Sequence, residues 1–187
     1  MHFTVEAQRI ANDYLTPGAI AVDATCGNGF DTLYLCERVG NAGLVYAIDL
    51  QAEAVARASH KLVESGYLSR CRLRVGSHAD LKSMVAVEHV GTIAAIMFNL
   101  GYLPFGDKSI VTEATSTVTA LEQALEVVRL GGLISVLAYL GHPGGQAEGT
   151  AVEHWIARHA SRLEVKKFQD PNNASSPILW SLIRKEP

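Results

Sequence analysis

Asp23, Gly27, Gly29, Asp31 and Asp49 have the types and spacing of a nucleoside-cofactor site. In the run Ala21-Val22-Asp23-Ala24-Thr25-Cys26-Gly27-Asn28-Gly29-Phe30-Asp31-Thr32 an apolar strand enters a glycine turn that opens a helix. Twenty residues after Gly29, a second apolar run, Leu44-Val45-Tyr46-Ala47-Ile48, ends in Asp49, a carboxylate placed to accept hydrogen bonds from two ribose hydroxyls. The two glycines let the backbone approach a ligand where a Cβ would collide. NAD and S-adenosylmethionine both suit this spacing, and the turn separates them. A dinucleotide site wants a third small residue where Thr32 stands, beside a pyrophosphate at the helix N-terminus. Polar Asn28 and Asp31 suit the amino-acid head group of S-adenosylmethionine better. The expected cofactor-binding residues of this stretch are Thr25, Gly27, Asn28, Gly29, Asp31, Thr32 and Asp49.

Three more segments follow strand ends, the place where open α/β sheets bind ligands. Phe98-Asn99-Leu100-Gly101-Tyr102-Leu103-Pro104 has an Asn-x-x-Tyr spacing that resembles the Asn-Pro-Pro-Tyr motif of amino-methyltransferases, with Leu-Gly in place of Pro-Pro. That resemblance implies that Asn99 and the Leu100 carbonyl accept hydrogen bonds from a target amine, with the Tyr102 ring packed on the base. The departure argues against a standard DNA adenine methylase. Tyr139-Leu140-Gly141-His142-Pro143-Gly144-Gly145 offers a glycine-rich loop with one tyrosine and one histidine able to receive a proton near neutral pH. In Gly76-Ser77-His78-Ala79-Asp80, Ser77 and His78 stand where class I methyltransferases contact adenine.

The elements that must position these residues alternate strand and helix, which makes the fold α/β. Strands are predicted near 19–25, 44–49, 72–76, 92–99 and 133–140, and helices near 31–38, 52–65, after Asp80 and over 109–129. Val55, Ala58 and Leu62 mark the buried stripe of the second helix, and Gly66 ends it. Ile110, Ala114, Val118, Leu121, Leu125 and Val128 do the same for the fourth, which Gly131-Gly132 ends. Thr150-x-x-Glu153 reads as a capping box that starts a fifth helix. Two alternating runs, 163–168 and 178–183, flank a turn-rich connection and read as an antiparallel hairpin. Five βα units and such a hairpin describe a Rossmann-like class I methyltransferase: seven mostly parallel strands in order 3-2-1-4-5-7-6, with helices on both faces.

With 187 residues, 48% hydrophobic and 19% charged, the chain is expected to form one globular domain over 1–187. Glu6, Arg9 and Asp13 interrupt the first fifteen residues, so no signal peptide or membrane span is expected and the predicted location is cytoplasmic. Cys26, Cys36 and Cys71 lack paired metal spacing and read as free buried thiols, and no metal site is expected. The net charge of −3 is no footprint for a polyanion. Arg70, Arg72 and Arg74, with Lys166, Lys167, Arg184 and Lys185, offer local patches, and a homodimer would enlarge the surface.

Taken together, Asp-Ala-Thr-x-Gly-Asn-Gly-x-Asp-Thr, the Ser-His pair, Phe-Asn-Leu-Gly-Tyr-Leu-Pro-x-Gly-Asp-Lys and Gly-His-Pro-x-Gly resemble the YtqB/MnmM-type tRNA methyltransferases. The resemblance runs from Ala21 to about Pro177, and residues 98–108 are its most specific part. It implies methyl transfer from S-adenosylmethionine to the amine of 5-aminomethyl-2-thiouridine at the tRNA wobble position. It also implies Asn28, Asp31, Asp49, Gln51, Ser77, His78 and Asn99 around the cofactor, with Asn99, Tyr102, Tyr139 and His142 facing the uridine as the catalytic set. Cys26 stands where some relatives carry methionine. The alternatives are a small-molecule methyltransferase, an rRNA methyltransferase and a non-catalytic cofactor sensor.

Overall fold

A computed structural model describes residues 2–104, 106, 110–173 and 175–185. Asp107 and Lys108 of the most specific motif, and the predicted helix start at Ser109, lie outside the described residues. The elements in chain order are α1 (Phe3–Asn12), β1 (Ile20–Asp23), α2 (Phe30–Val39), β2 (Leu44–Asp49), α3 (Ala52–Glu64), β3 (Cys71–Val75) and α4 (Leu81–Met84). They continue with β4 (Ile93–Leu100), α5 (Ala114–Val127), β5 (Val128–Ala138), α6 (Gly145–Arg158), β6 (Leu163–Phe168) and β7 (Ile178–Arg184). The strands form one sheet in the order β3-β2-β1-β4-β5-β7-β6, as the sequence predicts. β1 to β5 pair in parallel, and β7 inserts antiparallel between β5 and β6.

Alternation along each strand divides the core into two layers. Ala21, Val45 and Ala47 face Phe3, Ala7, Leu35, Cys36 and Leu62 of α1, α2 and α3. Val22, Tyr46 and Ile48 face the opposite layer, where Leu81, Leu121, Leu125 and Trp155 come from α4, α5 and α6. Because both faces are covered, the central strands are near-continuous apolar runs. All parallel strands then deliver their C-terminal ends to one edge, where the chemistry-bearing segments begin.

Three local readings change. The buried stripe of α3 is Ala54, Ala58 and Leu62, with Val55 only half-buried. α5 starts after Ile110, which is exposed, and passes directly into β5: Val128 pairs with Ile93 and Leu133 with Ala95, so the Gly131-Gly132 segment is a bulge inside the strand's span. α6 begins five residues before Thr150, whose hydroxyl donates to the Gln146 carbonyl (3.0 Å) instead of capping. A threonine inside a helix can satisfy itself in this way. Cys26, Cys36 and Cys71 are free and buried, as expected. No described helix is long and apolar enough to cross a membrane.

Candidate active site

The glycine turn after β1 is built by backbone demands. Gly27 (φ 50°) and Gly29 (φ 77°) both lie in the left-handed region, which costs an L-residue strain. At Gly29 a Cβ would also stand 2.7 Å from the Ala58 Cα of α3, so this glycine admits close packing of α2 on α3. Gly29 is not among the residues that line the cavity, and what requires a glycine there is Ala58 and the positive φ. Thr32 does not line it either: it is fully buried and donates its hydroxyl to Asp23 Oδ2 (2.6 Å) beneath the turn.

The other predicted residues meet. Thr25, Gly27, Asn28, Asp31, Asp49, Gln51, Ser77, His78, Asn99, Tyr102, Tyr139 and His142 all line one cavity of about 700 Å³ at the C-terminal edge of the sheet. A volume of that size holds a nucleoside ligand with room for a second reactant's reacting end. Among the described residues no cluster of three or more His, Cys, Asp or Glu is arranged to hold a metal.

Asp49 is fixed by its own backbone surroundings. Gly27 N–H donates to its Oδ2 (2.8 Å) and Gln51 N–H to its Oδ1 (2.9 Å). Each carboxylate oxygen can accept two hydrogen bonds, so one acceptor position on each is left for a vicinal diol. The other end of the cofactor half lies after β3. There Ser77 Oγ accepts from Ala79 N–H (3.1 Å), and the His78 ring packs edge-on to Phe98. Burial pushes the His78 pKa down to about 4, and its Nε2 is buried without a partner among the described residues.

Asn99, at the end of β4, is aimed by two contacts. Its N–H donates to Thr25 Oγ1 (2.7 Å), and its Nδ2 donates to Asp31 Oδ2. A carboxylate only accepts, so the amide nitrogen must face Asp31 and Oδ1 must face away. That oxygen is buried and has no partner among the described residues. Asp31 is held in turn by Gln8 Nε2, which donates to Oδ1 (2.6 Å). Burial raises the Asp31 pKa, while the Gln8 and Asn99 donors oppose that rise. Asp23, fully buried below, is pushed up to about 7 by burial first and by the Asp31 charge second.

The two aromatic side chains expected to receive a base stand at the cavity mouth. Tyr102 is 43% exposed and Tyr139 38%, enough for one face of a ring to meet a flat partner. Burial of the Tyr139 hydroxyl, followed by the Asp31 charge, raises its pKa and keeps it protonated. The Leu100 carbonyl, expected to accept from the amine, already accepts Tyr139 N–H (3.2 Å), leaving one lone pair free. His142 is buried, its ring edge-on to Tyr102 with centroids 6.2 Å apart.

Several contacts here carry no local sequence signal. Thr4 and Gln8 of α1 line the cavity. Asn28, expected on the cofactor, uses both ends of its amide on the protein: Nδ2 donates to the Pro104 carbonyl (3.2 Å), and Oδ1 accepts from Arg57 (3.1 Å). It straps the segment after β4 over the glycine turn, where a Cβ on Gly27 would meet Leu103 Cδ1 at 3.5 Å. Glu148 of α6, almost completely buried, accepts from Thr112 Oγ1 (2.7 Å) and Thr117 Oγ1 (2.6 Å). Thr112 N–H donates to the Gly101 carbonyl (2.9 Å), so α6 fixes the segment that carries Tyr102. A capping-box reading of 150–153 hid this, because it left residue 148 outside the helix.

The basic patches are partly spent. Arg70 donates to the Cys36 carbonyl and to Asn41, Lys167 pairs with Glu153, Lys166 with Glu164, and Arg184 donates to the Val128 carbonyl.

Known proteins match this arrangement. Residues 45–184 match the family described as "Putative rRNA methylase". Over 98% of its length the chain is 34% identical to the chloroplastic tRNA (mnm(5)s(2)U34)-methyltransferase of Arabidopsis thaliana, covering 69% of that protein. A crystal structure from Clostridium thermocellum, bearing the same description as the family, superposes with a TM-score of 0.91 at 32% identity, covering 97% of this chain and 96% of that one. A Streptococcus mutans structure in complex with SAH gives a TM-score of 0.85 at 28% identity, covering 97% of each chain.

Proposed function

This chain belongs to the "Putative rRNA methylase" family, and from that premise we propose that it is an S-adenosylmethionine-dependent methyltransferase acting on the aminomethyl group of 5-aminomethyl-2-thiouridine at the tRNA wobble position. The observation that carries the reading is Asn99 Oδ1, a buried acceptor that Asp31 turns away from itself, on a residue that lines the same cavity as Asp49. The cavity residues fit the cofactor. Asp49 suits the ribose diol, Gly27 lets the backbone approach, and Ser77 and His78 suit the adenine edge. When bound, S-adenosylmethionine supplies an electrophilic methyl on a sulfonium.

The protein's task is then positioning, since an in-line displacement needs donor and acceptor about 3 to 3.5 Å apart and aligned. Asn99 Oδ1 accepts an N–H of the target amine, and the free lone pair of the Leu100 carbonyl is available for another. With those hydrogens held, the nitrogen lone pair has one direction left to point. Tyr102 and Tyr139 receive the pyrimidine, as aromatic rings do for unstacked RNA bases.

The test is methyl transfer to two forms of one tRNA. The form bearing the aminomethyl group accepts one methyl, and the form without it accepts none, because the nucleophile is missing. Methylation of a ring atom in unmodified tRNA or rRNA would reject the amine target. A second reading, transfer to a small-molecule amine, draws on the net charge of −3 and the paired lysines 166 and 167. Turnover of a small amine with no RNA as acceptor would favour it. We also propose a homodimer that enlarges the RNA-facing surface, to be checked by sedimentation.

A further inference from the structure

The methyl acceptor of the proposed reaction is an aliphatic amine, and in water near pH 7 such a group is an ammonium with no lone pair to attack. Something must take its proton. Asn99 Oδ1 and the Leu100 carbonyl accept hydrogen bonds but are far too weakly basic to take a proton.

His142 offers an unpartnered imidazole nitrogen on the same cavity. Its Nδ1 lies 2.9 Å from the Pro143 carbonyl. A carbonyl can only accept, so in the neutral ring Nδ1 carries the hydrogen and Nε2 carries the lone pair. Nε2 is buried and has no partner among the described residues. It lies 3.8 Å from where a Cβ on Gly101 would stand, beside the segment that begins at Asn99, and both residues line the cavity. Gly145, the first residue of α6, leaves room for the ring: a Cβ there would come within 3.0 Å of Nε2. His78 also has an unpartnered Nε2, but it lies after β3, against Phe98, on the side of the cavity assigned to adenine.

We propose that His142 is the proton acceptor of this site, its tautomer set by the Pro143 carbonyl so that Nε2 takes the proton from the target ammonium. This rests on the methyltransferase reading above. The N–H bond of the ammonium breaks, its electron pair stays on nitrogen, and the proton passes to Nε2. The nitrogen lone pair then forms the new N–C bond as the C–S bond breaks toward sulfur. Two positive charges enter, on ammonium and sulfonium, and two leave, on imidazolium and methylated ammonium. The titratable groups on the elements packed about this loop are Tyr102, edge-on to the ring, Tyr139 after β5 and Asp31 on the same cavity, and Glu148 in α6. Both Glu148 oxygens are engaged by threonine hydroxyls, and Asp31 by Gln8 and Asn99.

Two measurements test the inference. In the first, ¹⁵N NMR of histidine-labelled protein, with His142 identified by its loss in His142→Gln, should show Nδ1 protonated and Nε2 bare. The opposite tautomer would overturn the proposal without any activity assay. In the second, single-turnover transfer to aminomethyl-bearing tRNA is compared between wild type and His142→Gln from pH 7 to 9. Loss of a general base costs about 10²-fold or more near neutrality. The deficit should shrink about tenfold per pH unit, because free amine then forms without the enzyme's help. A deficit equal at every pH, or none, would reject His142 as base, and S-adenosylmethionine affinity unchanged by calorimetry would show that the variant is folded. If wild type methylates no amine, the function itself falls, and the two failures are distinct.

Discussion

Replacing Asp49 tests the cofactor assignment where the structure is most explicit. Two of its four acceptor positions hold the Gly27 and Gln51 amides at 2.8 and 2.9 Å, and the other two are those that a ribose diol would use. Asp49→Ala removes both sets. Hydrogen bonds to a charged group contribute about 1.5 to 3 kcal/mol net, so S-adenosylmethionine affinity should fall by roughly ten- to 150-fold. Asp49→Asn is the sharper variant. It keeps the shape, but its NH2 must confront one of the two backbone N–H groups, so it too should bind weakly despite a nearly unchanged volume. Titration calorimetry gives the affinities, and thermal melting separates loss of ligand contacts from loss of fold. A folded Asp49→Ala protein with wild-type affinity, or one that binds NAD instead, would refute the assignment.

Other consequences can be checked alongside. Asn99→Ala should leave S-adenosylmethionine affinity within a few fold and lower the single-turnover rate by about 10²-fold or more, as loss of an orienting contact does. Tyr102→Ala should weaken tRNA use by about 1 to 3 kcal/mol, the range for a base-stacking contact, with little effect on cofactor binding measured by calorimetry. Gly29→Ala meets both a positive φ and the Ala58 backbone at 2.7 Å. It should lower the melting temperature by several degrees, since about 1 kcal/mol moves a domain of this size by roughly 2 to 4 °C. His78 has a folded pKa near 4, below its ordinary value, so the unfolded chain binds its proton first as pH falls. The stability it contributes is therefore present above about pH 6.5 and lost toward pH 4, by roughly 3 kcal/mol in all. In denaturant titrations His78→Gln should lack that part of the acid decline.

The sheet order was legible because buried parallel strands leave apolar runs and the connections between them leave turn residues. Asp49 and Asn99 were legible because each ends such a run. What the sequence hid is how these residues are held. Gln8 reaches Asp31 across 23 positions, and Asn28 reaches Pro104 across 76, pairings that no local pattern records. Gly29 resembled a ligand-approach glycine, while its neighbour in space is Ala58, in a helix with a separate periodicity. Thr150 mimicked a cap because a hydroxyl bonded within its own helix leaves the same sequence trace as one at the helix start.

The position of α1 has a consequence for how the site comes into being. This ten-residue helix precedes every strand of the sheet in chain order, and helices of that length are marginal alone. Its seat is formed by α2, β5 and β7, and β7 is the last strand of the sheet to be made. At about 5 to 20 residues per second, α1 waits on the order of ten seconds or longer for its seat. Gln8, which braces Asp31 beside Asn99, therefore sits on a helix whose full seat needs β5 and β7. A nascent chain with β1 to β4 already paired would own the glycine turn and Asn99, with α1 still short of two of the three elements that seat it.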